Sequence, residues 1–241
     1  LQEFANYKPR DDVFAEHLRR VFKRHRVDCV FDVGAHHGEF ATMLRKEAGF
    51  EGWIVSFEPV PNPTLESAAA ADPKWVVCPY ALGARSGDRA FHRMSSDVFS
   101  SFLQPIASQP EKYTDSNRVV QSFKVQIRTV AEVWNELRVQ LRLERLYLKM
   151  DTQGFDLEVF AGAAQVLPDI PALQTELAFQ PIYAGAPDAT AAFAEFRSAG
   201  YLPSLINAIS FDENLGVIEA DGVFVRARES GNVSHRAAIP K

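Results

Sequence analysis

Cysteine is scarce in this chain: Cys29 and Cys78 are the only two in 241 residues. They stand far apart in strand-like segments, which excludes a disulfide framework and a Cys-x-x-Cys metal knuckle and points to buried free thiols in a reducing compartment. Long apolar runs are also missing, with none near the ~18 residues that a membrane-spanning helix requires. The opening "LQEFANYKPRDD" has no apolar stretch of a signal peptide, while a leucine at position 1 points to a trimmed start. Nor is there a basic excess. Lysine and arginine total 26 against 31 acids, a net charge of −5, so no global positive field gathers nucleic acid. These absences lead to the expectation of a cytoplasmic protein with no nucleic-acid partner and no transmembrane segment. Its oligomeric state stays open, a homodimer included.

What is present is a core-forming chain, 46% hydrophobic, with no internal repeat and no linker. Residues 11–25 read as a helix capped by Asp11 or Asp12, with Val13, Phe14, Leu18, Val21 and Phe22 as its apolar stripe. The opposite face carries Arg19, Arg20, Lys23 and Arg24 and reads as solvated. From Val27 strands and helices alternate: "VDCVFDV", a helix stopped by Gly49, "GWIVSFEP", a helix over 62–71, then "KWVVCPYAL". "GARSGDRAFHRM", a polar loop and "SFKVQI" interrupt this rhythm before a helix at 129–140. It resumes with "RLYLKMD", the helix "FDLEVFAGAAQVL", "PALQTELAF", and a helix between Asp188 and Gly200. "YLPSLINAI" and "DGVFVRA" close the chain as a strand pair. The pattern predicts an α/β fold: a doubly wound, mostly parallel, Rossmann-like seven-stranded sheet with helices on both faces and an antiparallel closing strand. The expected layout is a helical extension over 1–26, a main domain over 27–228 with a lid-like insertion at about 94–117, and a flexible tail over 229–241. Ligands on such sheets sit beyond the carboxyl ends of the strands.

At the first such end stands "CVFDVGAHHGEF". Its Gly34-Ala35-His36-His37-Gly38 spacing is G-x-x-x-G, which lacks the third glycine of the dinucleotide fingerprint, and no Gly-Lys-Ser/Thr follows as in a P-loop. Asp32 would repel a pyrophosphate but suits a ligand carrying an ammonium group, and Gly34 would let the backbone come close to it. The second strand ends in Glu58, placed 24 residues beyond Gly34, where a carboxylate can accept bonds from ribose hydroxyls. Together these features favour a nucleoside bearing a positive charge, as in S-adenosylmethionine, over NAD. His36 and His37, being adjacent, are expected to diverge and not to clasp a metal ion.

The segments "VFDVGAHHGEF", "IVSFEPVP", "YALG", "SSDVFSSFL", "LYLKMDTQGFDLEVFAGA", "LQTEL" and "DGVFVRA" resemble FkbM-type methyltransferases from about Val27 to Arg226. The element K-M-D-T-Q-G is the most specific of them and looks like a D-T-Q-G branch, with Gln153 where many members carry glutamate. The resemblance implies S-adenosylmethionine as cofactor and O-methylation of a sugar, glycolipid or polyketide-type acceptor. It implies that Asp32, Gly34, Ala35, His36 and Gly38 lie along the methionine end of the cofactor, and that Glu58 and Pro59 lie by the ribose. Ala81 and Leu82 would pass the adenine, Ser100 and Ser101 would close over the site, and Asp151 would stand near the sulfonium.

A hydroxyl is a poor nucleophile, so a general base is expected. Asp151 and Glu176 are the candidates because each ends a central strand; their bland roles are a helix cap for Asp151 and a salt bridge for Glu176. Lys149 is expected to extend its head to solvent or to a carboxylate. A divalent ion held by Asp151, Glu176 and Asp221 is a secondary option that no ligand spacing demands. A non-catalytic nucleoside-binding or scaffolding protein on the same fold is the rival class, and an NAD-dependent oxidoreductase is disfavoured. Met94 to Asn117 and Gln180 to Asp188, with Phe99, Phe102, Tyr113 and Tyr183, are expected to shape the acceptor pocket.

Overall fold

A computed structural model describes residues 11–227; the expected flexible tail over 229–241 lies outside them. Five strands, β1 (Cys29–Val33), β2 (Trp53–Phe57), β3 (Trp75–Cys78), β7 (Leu146–Met150) and β8 (Ala172–Ala178), run parallel; β10 (Val217–Arg226) pairs antiparallel both with β8 and with the edge strand β9 (Tyr201–Phe211), and is the one strand of the sheet that runs the other way. Their order is β3-β2-β1-β7-β8-β10-β9, so the chain reverses direction across the sheet between β1 and β7. That switch point is where a crevice opens in such a sheet.

Strand alternation divides the core in two. Val30, Ile54 and Tyr147 face one side and pack under α1 (Asp11–His25), α2 (Glu39–Lys46) and α3 (Pro63–Ala70). Phe31, Val55 and Leu148 face the other side, under α4 (Val130–Leu141), α5 (Asp156–Ala161) and α6 (Ala189–Ser198). The first helix is therefore part of the core: Ala15, Leu18, Val21 and Phe22 are buried, while Val13 at the head of the expected stripe is 53% exposed. No helix among the described residues is long and apolar enough to cross a membrane. Both cysteines are free thiols.

Local signals explain most element ends. Asn62 caps α3 by accepting from the Thr64 and Leu65 amides, with Pro63 in the first turn where its missing N–H costs nothing. Thr129 and Glu132 form a reciprocal capping box on α4, and Asp188 caps α6. Two expectations need correction. "KWVVCPYAL" is not one strand: Pro79 lacks the amide a ladder needs, and beyond it β4 (Ala81–Leu82) joins a second, three-stranded sheet of order β4-β6-β5. The helix expected over 155–167 stops at Ala161 and continues as a 3-10 turn at Ala164–Asp169.

The small sheet carries the interruption in the rhythm. β5 (Gly87–Met94) and β6 (Val119–Arg128) pair antiparallel, and the segment between them packs Met94, Phe99, Leu103 and Tyr113 against Ile182 and Tyr183. The insertion thus leans on the loop that follows β8.

Candidate active site

The carboxyl ends of β1, β2, β7 and β8 meet around one cleft of about 590 Å³, a volume typical of small-molecule sites. Gly34, Ala35 and His36 enter it from the turn after β1, Glu58 from β2, Asp151 and Gln153 from β7, and Glu176 from β8. Ser100 and Asp97 reach it from the insertion, and Asp221 from β10. Asp32, Gly38, Pro59, Ala81, Leu82 and Ser101 do not line it.

The turn after β1 is a chain of unusual dihedrals: Gly34 at φ +75°, His36 at +48° and Gly38 at +85°. A Cβ on Gly34 would come within 1.9 Å of the Asp151 carbonyl oxygen, so the close approach that this glycine permits is to the neighbouring turn of β7. Glu58 fastens the turn to β2. Its Oε2 accepts from the His36 amide at 3.0 Å and its Oε1 from the Val60 amide at 3.0 Å. Burial raises the pKa of Glu58, although these backbone bonds oppose the shift.

The two histidines do not diverge as expected. The left-handed φ of His36 swings consecutive side chains to one side, and their ring centroids lie 3.7 Å apart. With Glu39 they bring three ligating atoms within 4.8 Å of one another, the one such group among the described residues. Asp151, Glu176 and Asp221, the acids considered for a divalent ion, are not gathered so closely. The His37 Nδ1 accepts from the Asn62 side-chain amide at 2.7 Å, and His36 faces Asp97 of the insertion at 3.4 Å.

Asp32 differs most from expectation. It is fully buried, and protein groups occupy its carboxylate. Ser56 donates its hydroxyl to Oδ2 at 3.3 Å, with Trp75 donating in turn to Ser56, and the Lys149 ammonium lies 2.9 Å from Oδ1 as an ion pair. Burial raises the Asp32 pKa, and Lys149 opposes the shift. Burial alone would lower the Lys149 pKa, but the charges of Asp32 and Asp151 raise it on balance, so the ammonium keeps its proton.

Asp151 is 41% exposed in its side chain and stands free of any capping duty. The cap-like work falls to Asp156, which accepts from the Thr152 amide at 2.8 Å and the Thr152 hydroxyl, and on its other oxygen from the Thr175 hydroxyl at 2.6 Å and the Glu176 amide at 3.1 Å. Asp151 is held by Gln153 Nε2, 3.3 Å from its Oδ1, and faces Lys149 across 3.6 Å. Gln153 also donates to Glu176 Oε2 at 3.2 Å. Glu176 forms no salt bridge among the described residues; burial pushes its pKa well above the ordinary value, and the charges of Asp151, Glu219, Asp156 and Asp221 push it further. The antiparallel register of β10 sets Asp221 directly beside Glu176. Burial and Asp151 push the Asp221 carboxyl up to about 6.

Ser100 and Ser101 split their duties. Ser100 faces the cleft and accepts from the Met94 amide at 3.2 Å. Ser101 is buried and pegs the insertion to the β7 turn by donating to the Gln153 carbonyl at 2.7 Å. Tyr183 adds a second peg, its hydroxyl 2.7 Å from the Phe99 carbonyl and 3.0 Å from Gln153 Oε1. Sequence reasoning missed Gln153 as the hub and Asp156 as the brace. The one signal for Asp156 is its place in the first turn of α5, where an acid finds unpaired amides.

Carboxylates along the cleft outnumber its two fixed cations, Arg93 and Lys149. Such a lining repels a pyrophosphate and accommodates a sulfonium and an ammonium group.

A family model described as the methyltransferase FkbM domain matches residues 32–203. None of the curated proteins matches. Among solved structures, the chain is similar to the Burkholderia thailandensis 1,6-didemethyltoxoflavin-N1-methyltransferase bound to 1,6-didemethyltoxoflavin and S-adenosylhomocysteine: 8% identity, TM-score 0.47, covering 90% of this chain and 78% of that one. It is also similar to an rRNA methylase from Streptococcus thermophilus at 8% identity and TM-score 0.45, covering 92% of this chain and 99% of that one. The family match spans most of the sheet and every turn that lines the cleft from β1, β2, β7 and β8. The chain belongs to the FkbM methyltransferase family, whose members take their methyl group from S-adenosylmethionine.

Proposed function

We propose that the protein methylates a hydroxyl group of a sugar, glycolipid or polyketide-type acceptor, with Asp151 receiving the hydroxyl proton. When bound, S-adenosylmethionine supplies an electrophilic methyl group on a cationic sulfur. The Gly34–His36 turn and Glu58 would hold it, with Ser100 facing it from the insertion. As the acceptor oxygen bonds to the methyl carbon, the carbon–sulfur bond would break with its electron pair going to sulfur, leaving neutral S-adenosylhomocysteine, while the hydroxyl proton would pass to Asp151; the cleft carboxylates would hold the cationic donor in line until then. Glu176, its pKa raised well above the ordinary value by burial and by the neighbouring carboxylates, accepts from the same Gln153 amide that steadies Asp151.

The observation that carries this reading is the freedom of Asp151. It ends a central strand, faces the cleft, and is the one acid of the β7 turn without a structural bond to a backbone amide among the described residues. Polar Gln174 and Asn207 share the cleft wall with Phe14, Phe40 and Ile209, a mixture suited to a hydroxylated acceptor with an apolar portion.

Calorimetric titration with S-adenosylhomocysteine and with NAD tests the cofactor, and comparison of cell extracts with and without the active gene tests the acceptor. Uptake of the first ligand alone and a product 14 mass units heavier on oxygen are expected, one methylene being added. A methylated nitrogen or carbon would overturn the acceptor class, and NAD binding alone would overturn the site.

A further inference from the structure

Lys149 has no part in the proton transfer just described, yet it is the one lysine on the cleft wall among the described residues. It lies inside β7 and is 4% exposed. A buried ammonium carries three donors and is tolerated only where acceptors surround it. One is in place at 2.9 Å, the Gly34 carbonyl, and Asp32 Oδ1 lies at the same distance as an ion-pair partner, with no hydrogen-bond partner of its own among the described residues. The third side faces Asp151 Oδ2 at 3.6 Å, longer than a hydrogen bond but close enough for a strong charge interaction.

We infer that Lys149 is a positioning residue for methyl transfer: one ammonium fixes the Gly34 turn on the cofactor side and the Asp151 carboxylate on the acceptor side. The inference rests on the reading of the cleft given above. Gly34 has no side chain to restrict its backbone, so its peptide is the part of the turn most free to rotate. Its amide bonds to the Phe57 carbonyl at 3.0 Å, and its carbonyl is held by Lys149. Asp151 is steadied on one oxygen by Gln153 and on the other by the Lys149 charge. Asp32 backs the arrangement, since Ser56 and Trp75 lock its carboxylate and keep Lys149 from drifting. The chain thus spends its strand-end acid on orienting a lysine, and the lysine in turn holds the Gly34 turn and Asp151.

The competing view is a plain structural ion pair. Buried pairs of that kind can be replaced by neutral groups of similar shape with little loss of stability, whereas removal of one partner is strongly destabilising. The test therefore compares four proteins: wild type, Asp32→Asn, Lys149→Met and the double variant. Each is measured for thermal stability and for S-adenosylhomocysteine affinity by calorimetry. Lys149→Met alone is expected to fold poorly, because it strands the Asp32 charge. The double variant removes both charges and is expected to melt within a few degrees of wild type, yet to bind S-adenosylhomocysteine at least tenfold more weakly. Asp32→Asn keeps an oxygen for Lys149 and should cost less affinity than the double variant. A double variant with wild-type stability and affinity within twofold of wild type would overturn the inference. A greater loss from Asp32→Asn than from the double variant would overturn it as well, by making Asp32 the group that meets the ligand. If wild type itself takes up no S-adenosylhomocysteine, the proposed function fails, an outcome distinct from either of these.

Discussion

Gln153 donates its side-chain amide to Glu176 across 3.2 Å, and the same nitrogen lies 3.3 Å from Asp151. One neutral amide therefore ties together the two carboxyls that the sequence offered as bases. The backbone of Gln153 is left-handed at φ +53°, its carbonyl accepts from Ser101, and its side-chain oxygen faces the Tyr183 hydroxyl. Few side chains could be so constrained without a structural reason. As a sequence feature Gln153 marked the loss of an acid; in the structure it is the donor that lets the other acids share a small volume.

Gln153→Glu would replace that donor with another negative charge beside Asp151 and Glu176. We expect a stability loss of about 1–3 kcal/mol at pH 8 from the lost bonds and the repulsion. The loss should shrink toward acid pH, where the introduced carboxyl is neutralised. Thermal melts of wild type and variant at pH 8 and at acid pH check this; an equal loss at both would mean that lost packing, not charge, is responsible.

Asp151 and Asp156 are five residues apart and should respond in opposite ways. Asp151→Asn keeps the shape and removes proton acceptance, so transfer should fall by about 10²–10⁴-fold with little change in S-adenosylhomocysteine affinity or melting temperature. Asp156→Ala strips partners from the amides of Thr152 and Glu176 and the hydroxyls of Thr152 and Thr175. Its cost should be on the order of 3–5 kcal/mol in stability, as for a buried charged hub. Denaturant melts and single-turnover transfer separate the two. Near-normal transfer by Asp151→Asn would move the base elsewhere.

The contrast shows which part of the site was legible in the sequence. Strand ends were, because an apolar run that meets an acid and a glycine marks a carboxyl end: Asp32, Glu58 and Asp151 all stand where that pattern put them. The direction of their side chains was not. Asp32 and Lys149 are lateral neighbours because β1 pairs β7 in a register that matches those two residues across more than a hundred positions of sequence. Local pattern carries no register between distant strands. The same holds for Asp221 beside Glu176 on the antiparallel pair. Pro79, by contrast, was a local signal within "KWVVCPYAL", and the strand does break there.

Asp221 gives a pH dependence whose sign can be fixed. Its carboxyl is pushed up to about 6 by burial and Asp151, above the value it has in an unfolded chain. Below pH 4 both states hold the proton and Asp221 favours neither. Between about pH 4 and pH 6 the unfolded chain releases it first, so stability falls as pH rises, and above that window the penalty is constant. A shift of about two pH units corresponds to at most about 3 kcal/mol. Asp221→Asn keeps an oxygen for the Gln174 amide, which donates to Asp221 Oδ1 at 3.3 Å, and removes the titration. Its melting temperature should exceed that of wild type by several degrees at pH 7.5 and match it at pH 4. An equal gain at both pH values would assign the effect to packing.

Gly34 offers the sharpest test of how the two central turns meet. At φ +75° a side chain costs roughly 1–2 kcal/mol by steric conflict alone. Gly49 has nearly the same dihedral, φ +64°, and a Cβ there meets nothing within 4 Å. At Gly34 the added Cβ would stand 1.9 Å from the Asp151 carbonyl oxygen, a backbone atom that cannot turn aside. The Asp151 peptide is fixed in turn, since its amide donates to the Val33 carbonyl at 3.0 Å. Gly34→Ala must therefore pry apart the ends of β1 and β7, the two strands whose parting forms the cleft. Gly49→Ala should cost about 1 kcal/mol and leave S-adenosylhomocysteine affinity untouched, because it carries the dihedral penalty without the collision. Gly34→Ala should cost on the order of 4 kcal/mol and abolish measurable S-adenosylhomocysteine binding in whatever fraction remains folded. Melting curves with calorimetry on both variants decide the matter. Similar losses for the two alanines would mean that the strand ends are free to separate, and the fixed geometry assigned to Lys149, Gly34 and Asp151 would have to be given up.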